Sequence, residues 1–288
     1  MKNFILAARP KTLLAGIVPP IATYFLFRAT HQTEAIPWVI FCVAGALAIQ
    51  LATNFFNDVI DFKKGADKNR VGPVRVSQAG LVDIKTVELW ARVCVVIAAM
   101  IGIPIIIRGG WPFVVLGITS LYLTFGYTGG KVSLAYRGLG EIFVFLFFGL
   151  FSVLGSYYLY AQTLEPRAFT LAAIYGCLTT TFICINNLRD RETDTEVGKR
   201  TLATRMKPSS YRAFTLATIF LPYALLIHFG GYPLLPIMGL ALVPAIVLGR
   251  ITLREKGAAL NQGLKFSGIH LVVFSLLICG VFIYGHPV

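Results

Sequence analysis

Apolar runs almost free of charge recur along the chain at about 13–28, 36–57, 87–107, 111–128, 138–160, 168–188, 213–229, 232–250 and 266–284. Each approaches the roughly 20 residues that a helix needs to cross a bilayer. The pattern therefore predicts an all-α, polytopic membrane protein of about nine helices. Arg108-Gly109-Gly110 and Phe229-Gly230-Gly231 separate neighbouring runs, and glycine supplies the backbone conformations that a tight antiparallel reversal requires. No composition shift or linker divides the chain, so residues 1–288 are expected to form a single domain.

Two polar stretches break this pattern at the ends of the second and sixth runs. Asn54 to Asp67 reads NFFNDVIDFKKGAD, and Asn186 to Asp194 reads NNLRDRETD. Asn54, Asp58 and Asp61 stand at i, i+4 and i+7; Asn186, Asp190 and Asp194 stand at i, i+4 and i+8. Such spacings stack side chains along one face of a helix. The two leading asparagines lie 132 residues apart. That separation suggests two four-helix halves followed by a final helix, with the acidic clusters opposed across a central cavity.

Composition agrees with a membrane solvent. The chain is 56% hydrophobic and only 14% charged, whereas a soluble domain carries about 25% charged residues. Of its 26 Lys and Arg, 23 fall on one side of the expected helices, leaving Arg28, Arg108 and Arg167 opposite. By the positive-inside rule the amino terminus and both acidic stretches face the cytoplasm, and the carboxyl terminus faces away. The same rule, with anionic lipid headgroups, accounts for the net charge of +13, so no nucleic acid is called for. Arg9, Pro10 and Lys11 split the first apolar stretch, which lacks the form of a cleaved signal. Phe4 to Ala8 is expected to lie along the membrane interface. The five cysteines and four histidines show no ligand spacing and read as packing and interfacial residues.

Seven of the thirteen acids fall in the two stretches: Asp58, Asp61, Asp67, Asp190, Glu192, Asp194 and Glu196. Carboxylates placed where a membrane helix ends are costly to insert and mark function. Oxygen-rich clusters suit hard cations, and Mg2+ is held by one or two carboxylates together with water and phosphate oxygens. Lys63, Lys64, Lys68, Arg70 and Arg75 follow the first cluster, and Gly198-Lys199-Arg200-Thr201 follows the second. Carboxylates, Mg2+ and bases together make a clamp for a diphosphate leaving group. Apolar helices around it would accommodate a lipid tail. A cation-coupled transporter would also carry carboxylates in a bundle, but near the midplane in broken helices rather than at the ends of two of them.

At these residues the chain resembles the UbiA-type intramembrane prenyltransferase superfamily, and within it the 1,4-dihydroxy-2-naphthoate polyprenyltransferase branch. The likeness runs through ARPKTLLAGIVP, NDVIDFKKGAD with VGPVRVSQAG, YRGLGEIFVFLFFG and NNLRDRETDTEVGKRTLATRM. Val59-Ile60 and Lys207-Pro208 depart from the usual pattern, at positions that bear on substrate preference. The resemblance implies that Asn54, Asp58, Asp61 and Asp67, with Asn186, Asp190 and Asp194, hold Mg2+ on a prenyl diphosphate. It implies substrate-binding roles for Asn57, Asn187, Tyr127, Lys131, Lys199 and Arg200, and places Arg137 and Glu141 near the aromatic acceptor. The implied reaction joins a polyprenyl or phytyl group to a ring carbon of the naphthoate, with loss of CO2 and diphosphate. Other aromatic acceptors, such as 4-hydroxybenzoate or homogentisate, are the alternatives within the class. Phe143, Phe145, Phe147 and Phe148 are candidates to face the allylic cation. The partners expected are these two substrates and the bilayer; no obligate protein partner is called for.

Overall fold

The computed structural model describes residues 2–65, 71–130, 133–230 and 235–284, and among these the long apolar runs are helical, with no strand. A short helix α1 (Lys2–Ala8) precedes α2 (Pro10–His31), α3 (Ile36–Lys63), α4 (Ile84–Gly109) and α5 (Trp111–Gly126). Then come α6 (Gly140–Val144) and α7 (Ser152–Ala161), joined without a break by a π-helical stretch, Phe145–Phe151. α8 (Pro166–Arg189), the short α9 (Arg191–Glu196) and α10 (Leu202–Arg205), α11 (Pro208–Gly230), α12 (Leu235–Arg254) and α13 (Asn261–Tyr284) complete the chain. Against the nine crossings expected, six helices among the described residues are long and apolar enough to cross a membrane. α5 is apolar but has only 16 residues. The chain is an integral, multi-pass membrane protein.

Local chemistry sets the helix limits. Proline stands in the first turn of α2, α3, α5 and α8, where its missing N–H costs nothing. Asp83 caps α4 by accepting from the Lys85 N–H at 3.0 Å. Gly110, at φ +75°, closes α4 and opens α5, so the first glycine turn reverses the chain as expected. The second includes residue 231, outside the described residues.

α8 is the central post. In its most apolar window 78% of residues are buried, against 17% for α4, which presents Met100, Ile103 and Ile107 outward. Its interior carries Thr179, Thr180 and Thr181, and a hydroxyl inside an apolar bundle needs an acceptor. Thr179 donates to the Tyr175 carbonyl at 2.7 Å, and Thr181 donates to that of Cys177 at 3.1 Å while approaching the Thr218 hydroxyl of α11 at 3.0 Å. α8 packs on α11 and on the π-helical stretch, α3 packs chiefly on α4, and α13 seals the bundle against α2 and α12.

Two helices approach closely where Gly149 meets Gly176. A Cβ on Gly149 would stand 2.3 Å from the Gly176 Cα, and one on Gly176 would stand 2.6 Å from the Phe145 ring. Small residues permit this backbone proximity, which van der Waals contact then stabilises. Gly149→Val should therefore cost about 1–3 kcal/mol or more, because the obstructing atom is backbone and cannot turn away. Gly280→Ala, whose new Cβ meets nothing within 4 Å, should leave stability unchanged or raise it slightly. Thermal unfolding of the two variants in detergent checks the contrast.

Candidate active site

A cavity of about 580 Å3 opens between α2, α3, α4, α5, the α6–α7 rod and α8. At one end the C-terminal turns of α3 and α8 deliver Asn54, Asn57, Asp61, Asn186, Asn187 and Asp190 to its wall. Its remaining walls are mostly apolar, from Gly102 and Leu116 to Phe151 and Leu159, with scattered hydroxyls such as Ser120, Ser156 and Thr179. The structure thus brings the two acidic stretches to one space, although they are far apart in sequence.

The carboxylates are held individually. Asp61 accepts from Arg75 Nη1 at 2.7 Å and from the Tyr136 hydroxyl at 3.0 Å. Arg75 also donates to the Asn57 carbonyl, at 3.0 Å, and so ties the loop after α3 back onto that helix. Asp190 accepts twice from its neighbour Arg189, at 2.7 and 2.6 Å, and Arg189 reaches Asn261 at 3.0 Å. Lys199 pairs with Asp194 at 3.2 Å and, with Lys64, lies over the Tyr136 ring. Asn54 donates to the Ala8 carbonyl and to Thr12, which fastens α1 and α2 to the site. Asn57 accepts from Thr128, while Lys64 donates to the Thr128 carbonyl at 2.7 Å.

Other expected residues are placed differently. Asp58 is fully buried but does not line the cavity; its two oxygens accept from the backbone N–H groups of Val76 and Ser77, at 3.2 and 3.0 Å. Here the carboxylate caps the loop that carries Arg75. Arg137 and Arg200 are exposed and also stand off the cavity wall. Tyr127 and Glu141 do line it. Phe143, Phe147 and Phe148 line it too, whereas Phe145 turns against Gly176, and Phe151 takes a place on the wall that the sequence reading left out. Asp67 and Lys131 lie outside the described residues.

Among the described residues no three His, Cys, Asp or Glu side chains gather closely enough to cage an ion. Mg2+ does not require such a cage, since it keeps water and takes oxygens from a phosphate. The donor set fits that mode. Asp194 Oδ2 is buried with no hydrogen-bond partner. Burial pushes the Asp194 carboxyl up to about 6, with Lys199 opposing and the charges of Asp190 and Asp61 reinforcing. Burial alone would lower Lys199, but the charges of Asp194, Asp61 and Asp190 outweigh it and hold the ammonium above its usual value. The site is thus a concentrated field of both signs, matched to a cation and a polyanion together.

Arg9 is the contributor that sequence reasoning missed outright. It lines the cavity from the α1–α2 junction with left-handed backbone, φ +51°, a conformation that costs a non-glycine residue about 1–3 kcal/mol. Its position within RPKT, between two short apolar runs, was the available signal.

Comparison with known proteins gives a consistent picture. The model of the UbiA prenyltransferase family matches residues 17–269. A 1,4-dihydroxy-2-naphthoate octaprenyltransferase from Mycobacterium leprae is 29% identical, covering 96% of this chain and 95% of that one. One of the same name from Escherichia coli is 35% identical, covering 72% and 69%. Among solved structures, a UbiA homolog from Archaeoglobus fulgidus bound to GPP and Mg2+ superposes with a TM-score of 0.63 at 12% identity, covering 96% of this chain and 99% of that one.

The Asp194 environment makes a pH test possible. The folded carboxyl takes up a proton more readily than the unfolded one, so its contribution to stability is complete below about pH 4 and is lost as the pH rises through about 6. In EDTA, stability should fall between those values by on the order of 2–3 kcal/mol. Asp194→Asn should flatten that fall. Melting curves of both proteins across that range read the difference.

Proposed function

The chain belongs to the UbiA prenyltransferase family, and from that premise we propose that it transfers a polyprenyl group from its diphosphate to a ring carbon of 1,4-dihydroxy-2-naphthoate, releasing CO2 and diphosphate. The observation that carries the reading is one cavity whose polar end receives Asp61 from the first acidic motif and Asp190 from the second, and whose other walls are mostly apolar and aromatic. The names of the Mycobacterium leprae and Escherichia coli relatives support the acceptor, and the ligands of the Archaeoglobus fulgidus homolog support the donor and the metal.

Asp61 and Asp190, with Asn54 and Asn186, line the cavity and are the residues that would hold Mg2+, while Asp194 stands off the wall and pairs with Lys199, which lines it. When bound, the ion offsets the charge that develops on the departing diphosphate. Arg75, Arg189 and Lys199 stand beside these carboxylates and present fixed positive charge to the same oxygens. The apolar walls exclude water from the allylic cation and receive its tail. Phe143 and Phe147 stack with ring centroids 5.8 Å apart, and Phe151 meets Phe147 edge-on at 5.2 Å. These rings offer their faces to a delocalised cation. Attack by the carboxylated carbon of the naphthoate and loss of CO2 complete the exchange. We place the amino terminus and the site on the cytoplasmic side, following the distribution of Lys and Arg.

Purified protein supplied with Mg2+, several prenyl diphosphates and several aromatic acceptors tests this. Mass spectrometry should find the naphthoate product lighter by CO2 than a simple adduct. Asp190→Ala or excess EDTA should lower turnover about 100-fold or more, while the variant still inserts into the membrane. Full activity in EDTA, or transfer to 4-hydroxybenzoate in preference to the naphthoate, would overturn the metal or the acceptor assignment respectively.

A further inference from the structure

Glu141 opens α6, is only 2% exposed, and lines the cavity at the foot of the aromatic wall. Its Oε1 accepts two hydrogen bonds, from Asn187 Nδ2 at 2.8 Å and from the Tyr211 hydroxyl at 2.6 Å. Its Oε2 is equally buried and receives none. No Lys or Arg among the described residues pairs with it. A buried carboxyl oxygen left without a partner is costly, and a purely structural role would not need the second oxygen. A glutamine oxygen could accept from Asn187 and Tyr211 equally well. The surroundings also locate the group. A Cβ on the adjacent Gly140 would stand 2.8 Å from the Tyr127 hydroxyl, and Phe143, two residues on, begins the row of rings. Asn187 follows Asn186, which lines the polar end. Glu141 therefore stands between the diphosphate end and the aromatic wall, where a phenolic ring has to lie to meet an allylic cation.

We propose that Glu141 is a catalytic proton shuttle for the acceptor hydroxyl; this rests on the prenyl-transfer reading above. As the allylic C–O bond breaks, diphosphate leaves with the bonding pair. The carboxylated ring carbon attacks the cation, drawing electrons from the hydroxyl on the adjacent carbon, whose proton passes to Glu141 Oε2 as a ketone forms. The resulting β-keto acid carries the prenyl group and carboxylate on one tetrahedral carbon. Loss of CO2 returns the C–C bonding pair to the ring as a naphtholate, and that oxygen recovers the proton from Glu141. No proton is gained or lost over the cycle. Asn187 and Tyr211 act as positioning residues, holding Oε1 so that Oε2 faces the ring.

The test uses Glu141→Gln in the whole enzyme, with whichever phenolic acceptor the wild type prenylates. The expected result is a fall in kcat of about 100-fold or more, with affinity for a thiodiphosphate donor analogue within about twofold of wild type. Ring-fluorinated acceptors, whose hydroxyl is already ionised at the assay pH, should recover most of the loss. Glu141→Asp, which keeps the base on a shorter arm, should fall between, and it decides the matter if the Gln variant does not reach the membrane. A Gln variant with wild-type kcat overturns the shuttle and leaves the prenyl-transfer reading intact. So does a loss that is indifferent to acceptor acidity and accompanied by a lower melting temperature, since that pattern marks a structural role. If the wild type prenylates a phenol other than the naphthoate and the rescue pattern holds, the shuttle stands and the naphthoate assignment falls. If it prenylates no phenol, both fall.

Discussion

Charge at the end of a membrane-crossing helix must be compensated within reach of its own side chain, and the site is built around that constraint. Asp61 and Asp190 sit where α3 and α8 leave the apolar bundle, and each is met at once by an arginine: Arg75 from the following loop and Arg189 from the adjacent position. Neither pair is a simple stability device, because removing two ions from water costs about as much as their attraction returns. Their effect is positional. Arg75 can reach Asp61 only if the loop from Val71 to Asp83 folds back over α3, and Asp58 holds that loop by two backbone N–H groups. The first motif thus divides its work between one carboxylate that faces the cavity and one that keeps the roof in place.

That division explains what could be read from sequence and what could not. The apolar runs and the Asn-led spacing were legible because helical periodicity is a local property, and α3 and α8 carry their motifs to a shared cavity as expected. Spacing says that Asp58 and Asp61 lie along one face of a helix. It does not say which face the returning loop will cover, since that depends on contacts across 18 and 19 residues. The family resemblance put Arg137 near the acceptor; it is exposed and off the cavity wall, where Arg9, Arg75, Arg189 and Lys199 are the cations present.

The aromatic row shows a subtler limit. Phe143, Phe147 and Phe151 line the cavity at intervals of four, although an α-helix would carry every fourth residue progressively around its axis. The wider π-helical turn of Phe145–Phe151 drifts the opposite way, so a rod that mixes the two keeps the three rings nearly in line. It also leaves Phe145 facing Gly176 rather than the cavity. A change of helical type within an apolar run leaves no mark on its hydropathy.

The thin wall formed by α4 and α5 has a consequence for measurement. Ala98, Ala99, Gly102 and Gly117 line the cavity, while Met100, Ile103 and Ile107 on α4 and Val115 on α5 are exposed on the outside of the bundle. A single layer of helix therefore separates the reaction space from lipid. A tail-bearing substrate is dissolved in the surrounding membrane, where its abundance is a mole fraction among lipids rather than a molarity in water. The apparent affinity for that substrate will then scale with the amount of detergent or lipid in the assay, and constants measured in different dispersions become comparable only when expressed per molecule of the surrounding amphiphile.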